Sequence, residues 1–229
     1  MPVALHIPDG FLSIGVALVA WLPAIAVVAY ALRVADRQLD DERVPLLGVL
    51  AAFVFAVQML NFPVAGGTSG HLMGAALVAV LLGPWLACLV MVVVLGAQAF
   101  LFADGGITAL GANIIVMGIL GALLAGFVFG WAQRAVRMTR PVFLGLVAAV
   151  SWGAVMLGAA ATAILLGISG TVPLGTALGA MLGVHALIGI GEAVITVAAV
   201  SAVLASRPDL LFFRPTTEAE PVVGRVQEA

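Results

Sequence analysis

The sequence has no lysine, one cysteine (Cys88), one tyrosine and few charges of either sign. Each shortage excludes something. Without Lys there is no Walker A lysine to grip a nucleotide phosphate, and no amine for a Schiff base. A lone Cys forms neither an intrachain disulfide nor a cysteine-rich metal site. Nine Arg against eleven acidic residues leave a net charge of −2, which argues against a nucleic-acid partner. Charged residues are 9% of the 229 positions, where a soluble domain carries about 25%. Too little charge remains to solvate an ordinary surface, so a soluble enzyme is excluded. What is present instead is 64% apolar residues and a mean hydropathy of +1.26, the composition of a chain whose solvent is lipid. The first ten residues hold no basic side chain and place His6, Pro8 and Asp9 ahead of the first apolar run. They do not form a signal peptide and are expected to stay on the mature protein.

Crossing a bilayer takes about 20 apolar residues as helix. The candidate runs are Leu12–Leu32, Pro45–Leu60, Leu72–Ala103, Thr108–Trp131, Pro141–Gly167 and Leu174–Ala205. The third would make a helix of roughly 48 Å, against a hydrocarbon core of about 30 Å. Gly83-Pro84 sits inside it and breaks it into a short helix, Leu72–Leu82, and a longer one, Pro84–Ala103. Seven helices result. The Arg residues support that parity: Arg33, Arg37 and Arg43, then Arg134, Arg137 and Arg140, then Arg207, Arg214 and Arg225 all fall on the cytoplasmic side if the N-terminus lies outside. The short third helix is expected to be buried among its neighbours rather than to face lipid. Residues 1–207 read as a single membrane domain, and 208–229 as a polar, disordered cytoplasmic tail.

In this topology the outer segments carry no Arg. They carry His6 and Asp9, the loop from Asn61 to His71, and Asp104-Gly105-Gly106. Two imidazoles and two carboxylates on one face suit a late first-row divalent cation, because imidazole is a preferred ligand for such metals. A His near a chain start can bind through Nδ1, its own amide nitrogen and the preceding nitrogen, leaving one corner of a square plane for a second imidazole. His71, brought inward by Gly66, Gly67 and Gly70, is the available donor. The bland alternative, that each His merely caps or satisfies a loop, stays open at this point.

The segments His6-Ile7-Pro8-Asp9-Gly10-Phe11-Leu12, Gly66-Gly67-Thr68-Ser69-Gly70-His71-Leu72, Leu82-Gly83-Pro84-Trp85, Asp104-Gly105-Gly106 and Leu110-Gly111-Ala112-Asn113 resemble the CbiM/NikM family. Its members are the substrate-binding membrane (S) components of energy-coupling-factor cobalt and nickel transporters. The resemblance runs from His6 to about Thr196. It implies an all-α, seven-helix fold with an S-component core and an added N-terminal helix. It implies capture of Co(II) or Ni(II) as substrate, with no resident cofactor. The implied ligands are His6, His71 and the nitrogen of the residue before His6, here Leu5. In the family that residue is the initiator Met, so translation from position 5, or trimming of four residues, is expected. The implied partners are a transmembrane T component, ATPase subunits and a small accessory membrane protein, in the cell membrane.

Other polar groups fall inside the apolar runs. Glu192 is expected to be protonated or hydrogen-bonded to Thr196 or Asn113, and His185 to be a satisfied interior histidine. Asp104 is expected to cap the helix after Gly106. Ala52 and Ala56 put small residues four apart on the second helix, a spacing that permits close helix approach. Two rivals remain. A self-contained divalent-metal permease would need a polar path through the bilayer, and Glu192 and His185 are a thin one. A rhomboid-like intramembrane serine protease would use Gly67-Thr68-Ser69-Gly70 with His185, but four further spans separate the two residues.

Overall fold

The computed structural model describes residues 6–41, 43–60, 62–64 and 68–216. Seven helices carry the fold: α1 (Ile14–Gln38), α2 (Arg43–Gln58), α3 (Ala75–Leu82), α4 (Pro84–Leu101), α5 (Leu110–Ala135), α6 (Arg140–Ile168) and α7 (Leu174–Ser206). Between α2 and α3 the chain makes a small antiparallel hairpin, β1 (Phe62–Val64) and β2 (Thr68–Gly70), with Phe62 opposite Gly70. Five of the helices are long and apolar enough to cross a membrane. The chain is a multi-pass helical membrane protein.

The helices are packed inside-out relative to a soluble bundle. On α1, Ser13 accepts a hydrogen bond from the Val16 amide and starts the helix. Its buried stripe is Ala17, Ala20, Ala24, Ala31 and Ala35, while Leu18, Val19, Leu22, Ile25 and Leu32 face outward. Small residues let backbones approach closely, and the large apolar side chains meet lipid at no cost. Pro23 is tolerated within α1, as prolines are in membrane helices.

The break at Gly83-Pro84 falls where expected. Gly83 holds φ +80°, which ends α3, and Pro84 opens α4 at a position where its missing N–H costs nothing. Every residue of α3 is buried. It is about 12 Å long and relies on its neighbours rather than on lipid. Helix α5 is wound as a π-helix from Ile114 to Leu123, directly after Asn113, and π-helical turns are frequent at functional sites.

The arginine-bearing segments gather at one end of the bundle, where Asp40, Arg43, Leu81, Leu82, Phe212 and Arg214 line a shared cleft. The segment after α7 departs from expectation. Residues 208–216 were expected to be disordered, yet Pro208–Leu210 form a helical turn and Leu211 and Phe213 are buried. The Phe212 and Phe213 amides both donate to the Val80 carbonyl, at 3.0 and 3.1 Å, and Thr216 donates to Met138. The reason is local: Leu211, Phe212 and Phe213 are an apolar patch inside a polar stretch, and they cover the end of α3. Residues 217–229 lie outside the described part.

Candidate metal centre

At the opposite end from the arginines, three segments converge on His6 and His71. Both rings are buried, and they stack with centroids 4.4 Å apart and planes 30° apart. Residues 65 positions apart in the chain have become neighbours. Leu5, the third residue implied by resemblance, lies outside the described residues.

The backbone at His6 is held by a side chain from α5. The Ile7 amide donates to Asn113 Oδ1 at 2.9 Å, and Asn113 Nδ2 donates back to the Ile7 carbonyl at 3.1 Å. Gly106 N also donates to that carbonyl at 2.9 Å. The pair of bonds treats the chain at Ile7 as a strand partner would, fixing both its depth and its rotation. Asp9 fixes the loop alongside: its carboxylate accepts from Ile107 N (3.1 Å), Thr108 N (2.8 Å) and Thr108 Oγ1 (2.5 Å). The Thr108 hydroxyl, reinforced by the Thr108, Ile107 and Ala109 amides, outweighs the modest burial and holds the Asp9 carboxyl below its ordinary value. Gly106 is required there, since a Cβ would lie 2.3 Å from Asp9 N.

The capping role is therefore taken by Asp9, not by Asp104. Asp104 turns back to the centre through Ala103, which holds the strained φ of +53°. Its Oδ1 lies 3.2 Å from His6 Nδ1, off the direction of a hydrogen bond. Partial burial works against its charge. The adjacent His6 ring, above all, outweighs that and holds the carboxyl below its ordinary value.

His71 sits in a short extended segment between β2 and α3, and this segment is clamped from two sides. Gln58 of α2 donates to the Met73 carbonyl at 2.8 Å and is itself held by Gln98 of α4 at 3.0 Å. Glu192 of α7 accepts from Met73 N (2.8 Å) and Gly74 N (2.7 Å), at the N-terminal end of α3 where a carboxylate is favoured. Glu192 thus bonds neither Thr196 nor Asn113, the two partners expected for it. The His71 Nδ1 is 2.9 Å from the Leu72 carbonyl, which only accepts, so Nδ1 carries the proton and Nε2 the lone pair. Burial, then the adjacent His6, pushes the His71 pKa down to about 3. The ring is neutral at any physiological pH, and no proton competes for Nε2. Both His6 ring nitrogens and His71 Nε2 lack a hydrogen-bond partner among the described residues.

Gln58 and Gln98 escaped the sequence reading. The available signal was a buried amide in an otherwise apolar helix, which in a membrane protein marks a partner inside the bundle. Asn113 was noticed but given the wrong partner.

Fold and centre together define a polytopic membrane protein that presents two buried, stacked imidazoles at one end of its helices. The comparisons with known proteins agree with that class. The family model described as the cobalt uptake substrate-specific transmembrane region, CbiM, matches residues 6–210. A Haloquadratum walsbyi protein named for metal transport is 42% identical over 211 residues, covering 91% of this chain and 94% of its own. The cobalt transport protein CbiM of Sorangium cellulosum is 35% identical over 90% of this chain and 94% of its own. The crystal structure of a truncated transition metal transporter superposes with a TM-score of 0.78 at 33% identity, covering 87% of this chain and 98% of that one. The chain belongs to the CbiM family. The family and these relatives are named for transport rather than catalysis, so the chain is a metal-transport membrane component and not an enzyme, which sets the protease reading aside.

Proposed function

We propose that this chain captures one Co(II) or Ni(II) ion between His6 and His71 and delivers it inward as the substrate-binding subunit of an energy-coupling-factor transporter. The observation that carries the reading is the pair of stacked, buried imidazoles with ring nitrogens that have no hydrogen-bond partner. Two apolar rings of the same size would fill this space without stranding polar atoms, and a cation supplies what those nitrogens lack. Among the described residues no three His, Cys, Asp or Glu side chains converge on one ion. The family resemblance supplies the remaining donors: the His6 amide and the nitrogen of Leu5. Four nitrogens in a plane suit Ni(II), and Cu(II) still better. Asp104 at the mouth supplies negative charge beside the site without occupying it.

The same reading places the His6 face outside and the arginine end in the cytoplasm. A T component, ATPase subunits and a small accessory membrane protein supply the energy, and Ala52 and Ala56, both exposed on α2, mark the face where a partner helix packs closely. A self-contained permease is less well supported, because the interior side chains Gln58, Gln98, Asn113 and Glu192 are engaged with backbone or with each other, and the open nitrogen of His185 does not make a path by itself.

The test is metal analysis of the purified protein beside His71→Ala. One equivalent of nickel or cobalt in the parent and none in the variant is the expected result; equal metal in both overturns the reading. Nickel flux through the chain reconstituted alone would instead support the permease. Mass spectrometry of the mature N-terminus shows whether the nitrogen at position 5 is a free amine.

A further inference from the structure

A third buried imidazole stands beside the segment that carries His71. His185 of α7 is fully buried, and its Nδ1 is 2.7 Å from the Met181 carbonyl one turn earlier. A carbonyl only accepts, so Nδ1 carries the proton and the lone pair is on Nε2. That Nε2 has no hydrogen-bond partner among the described residues. His71 is prepared in the same way, with Nδ1 committed to the Leu72 carbonyl and Nε2 left open. A backbone carbonyl on one ring nitrogen is the usual device that orients the other toward a metal.

The open nitrogen of His185 faces the residue just before His71. A Cβ placed on Gly70 would stand 3.2 Å from His185 Nε2 and 2.2 Å from Ile188 Cδ1. Only a residue without a side chain leaves space between the His71 segment and α7. Seven residues further along the same buried stripe of α7, Glu192 grips the Met73 and Gly74 amides. One helix thus holds the His71 segment at one point and turns toward it, at another, an imidazole nitrogen without a hydrogen-bond partner among the described residues.

The geometry points to His185 Nε2 as an inner ligand for the transported divalent cation, taken up as the ion leaves the outer His6 and His71 pair. This rests on the capture reading above. The three rings do not share one ion at once, since no three ligating side chains converge among the described residues. They act in sequence, His71 common to both stations: outer with His6, inner with His185.

The test uses the full-length protein in detergent, with nickel(II) alone as the probe. Wild type, His6→Ala, His71→Ala, His6→Ala/His185→Gln and His6→Ala/His185→Phe are titrated by calorimetry, and coordinated imidazoles are counted by X-ray absorption. The polar and the ring-sized apolar replacements of His185 guard against loss of fold, since one preserves a hydrogen-bonding group and the other the packing. His6→Ala is expected to keep weakened nickel binding with two imidazoles in the shell. Either His185 replacement should then weaken it further, by no less than the factor of about 10 that losing even an outer-shell partner costs, and leave one imidazole. Equal affinity and imidazole count with and without His185 overturns the inner ligand, as does a complete absence of nickel binding in His6→Ala. The capture reading fails on a different arm, if His71→Ala binds nickel as tightly as wild type.

Discussion

Replacing Asn113 by Leu tests whether the centre depends on a side chain that touches no ion. Leu keeps the γ-branched outline of Asn, although it is bulkier, and keeps the helix, but removes both hydrogen bonds to Ile7. The Ile7 carbonyl keeps its bond from Gly106, whereas the Ile7 amide is stranded in a buried position. A net hydrogen bond is worth about 0.5–1.5 kcal/mol, and an unpaired buried donor costs about 1–3 kcal/mol. The loss is therefore about 2–4 kcal/mol, and it falls on the placement of the segment that carries His6. Because the remainder of α5 is packed against α4 and α6, most of the loss should appear in metal binding rather than in melting of the bundle. At 1.4 kcal/mol per decade the nickel dissociation constant should rise by about 30- to 1000-fold. Asn113→Asp keeps an acceptor for the Ile7 amide but turns the donor to the Ile7 carbonyl into a second oxygen, so it tests the amide bond separately and should also weaken binding. Competition titration against a chelator of known affinity measures all three. If Asn113→Leu binds within about threefold of the parent while remaining folded, the clamp does not position His6 and the reasoning is wrong.

Glu192→Ala leaves the Met73 and Gly74 amides unpaired and should lower stability by about 2–6 kcal/mol, read as a fall in thermal midpoint in detergent; an unchanged midpoint would refute the clamp on the His71 segment. Gly106→Ala drives a Cβ into the Asp9 backbone, which cannot move aside, and should abolish metal binding; retained affinity would show that the loop is not tightly seated. The His71 pKa is depressed in the folded protein from 6.5 to about 3, so the unfolded chain binds the proton more readily and stability falls as pH drops below about 6.5. Between pH 7 and pH 5 the metal-free protein should lose about 2 kcal/mol through His71, and His71→Gln should reduce the dependence by about that amount. Asp104, also depressed, contributes to acid sensitivity only below the ordinary carboxylate range, so the two groups separate along the pH axis.

Much of this was legible in the chain as written. The shortage of charge and the length of the apolar runs sufficed for the membrane class, because each segment must satisfy its own backbone in lipid regardless of its neighbours. Gly83-Pro84 announced the break between α3 and α4 for a reason equally local: the proline ring cannot continue a helix. The helix ends differ from expectation by a few residues, α1 running on to Gln38 through polar positions that hydropathy alone would exclude. The order of residues 208–216 was not legible, since a three-residue apolar patch has no meaning until α3 offers it a surface.

The two histidines illustrate the division. Their types, their shared side of the membrane and the glycine-rich approach to His71 are properties of the linear chain, set by composition and parity. That they stack at 4.4 Å, that Asn113, Asp9, Gln58 and Glu192 hold their backbones, and that His185 opens toward Gly70 are decided by the packing of helices distant in sequence. Hydrogen bonds between residues about 100 positions apart leave no periodic trace, whereas the partition of side chains between lipid and water acts on every segment independently.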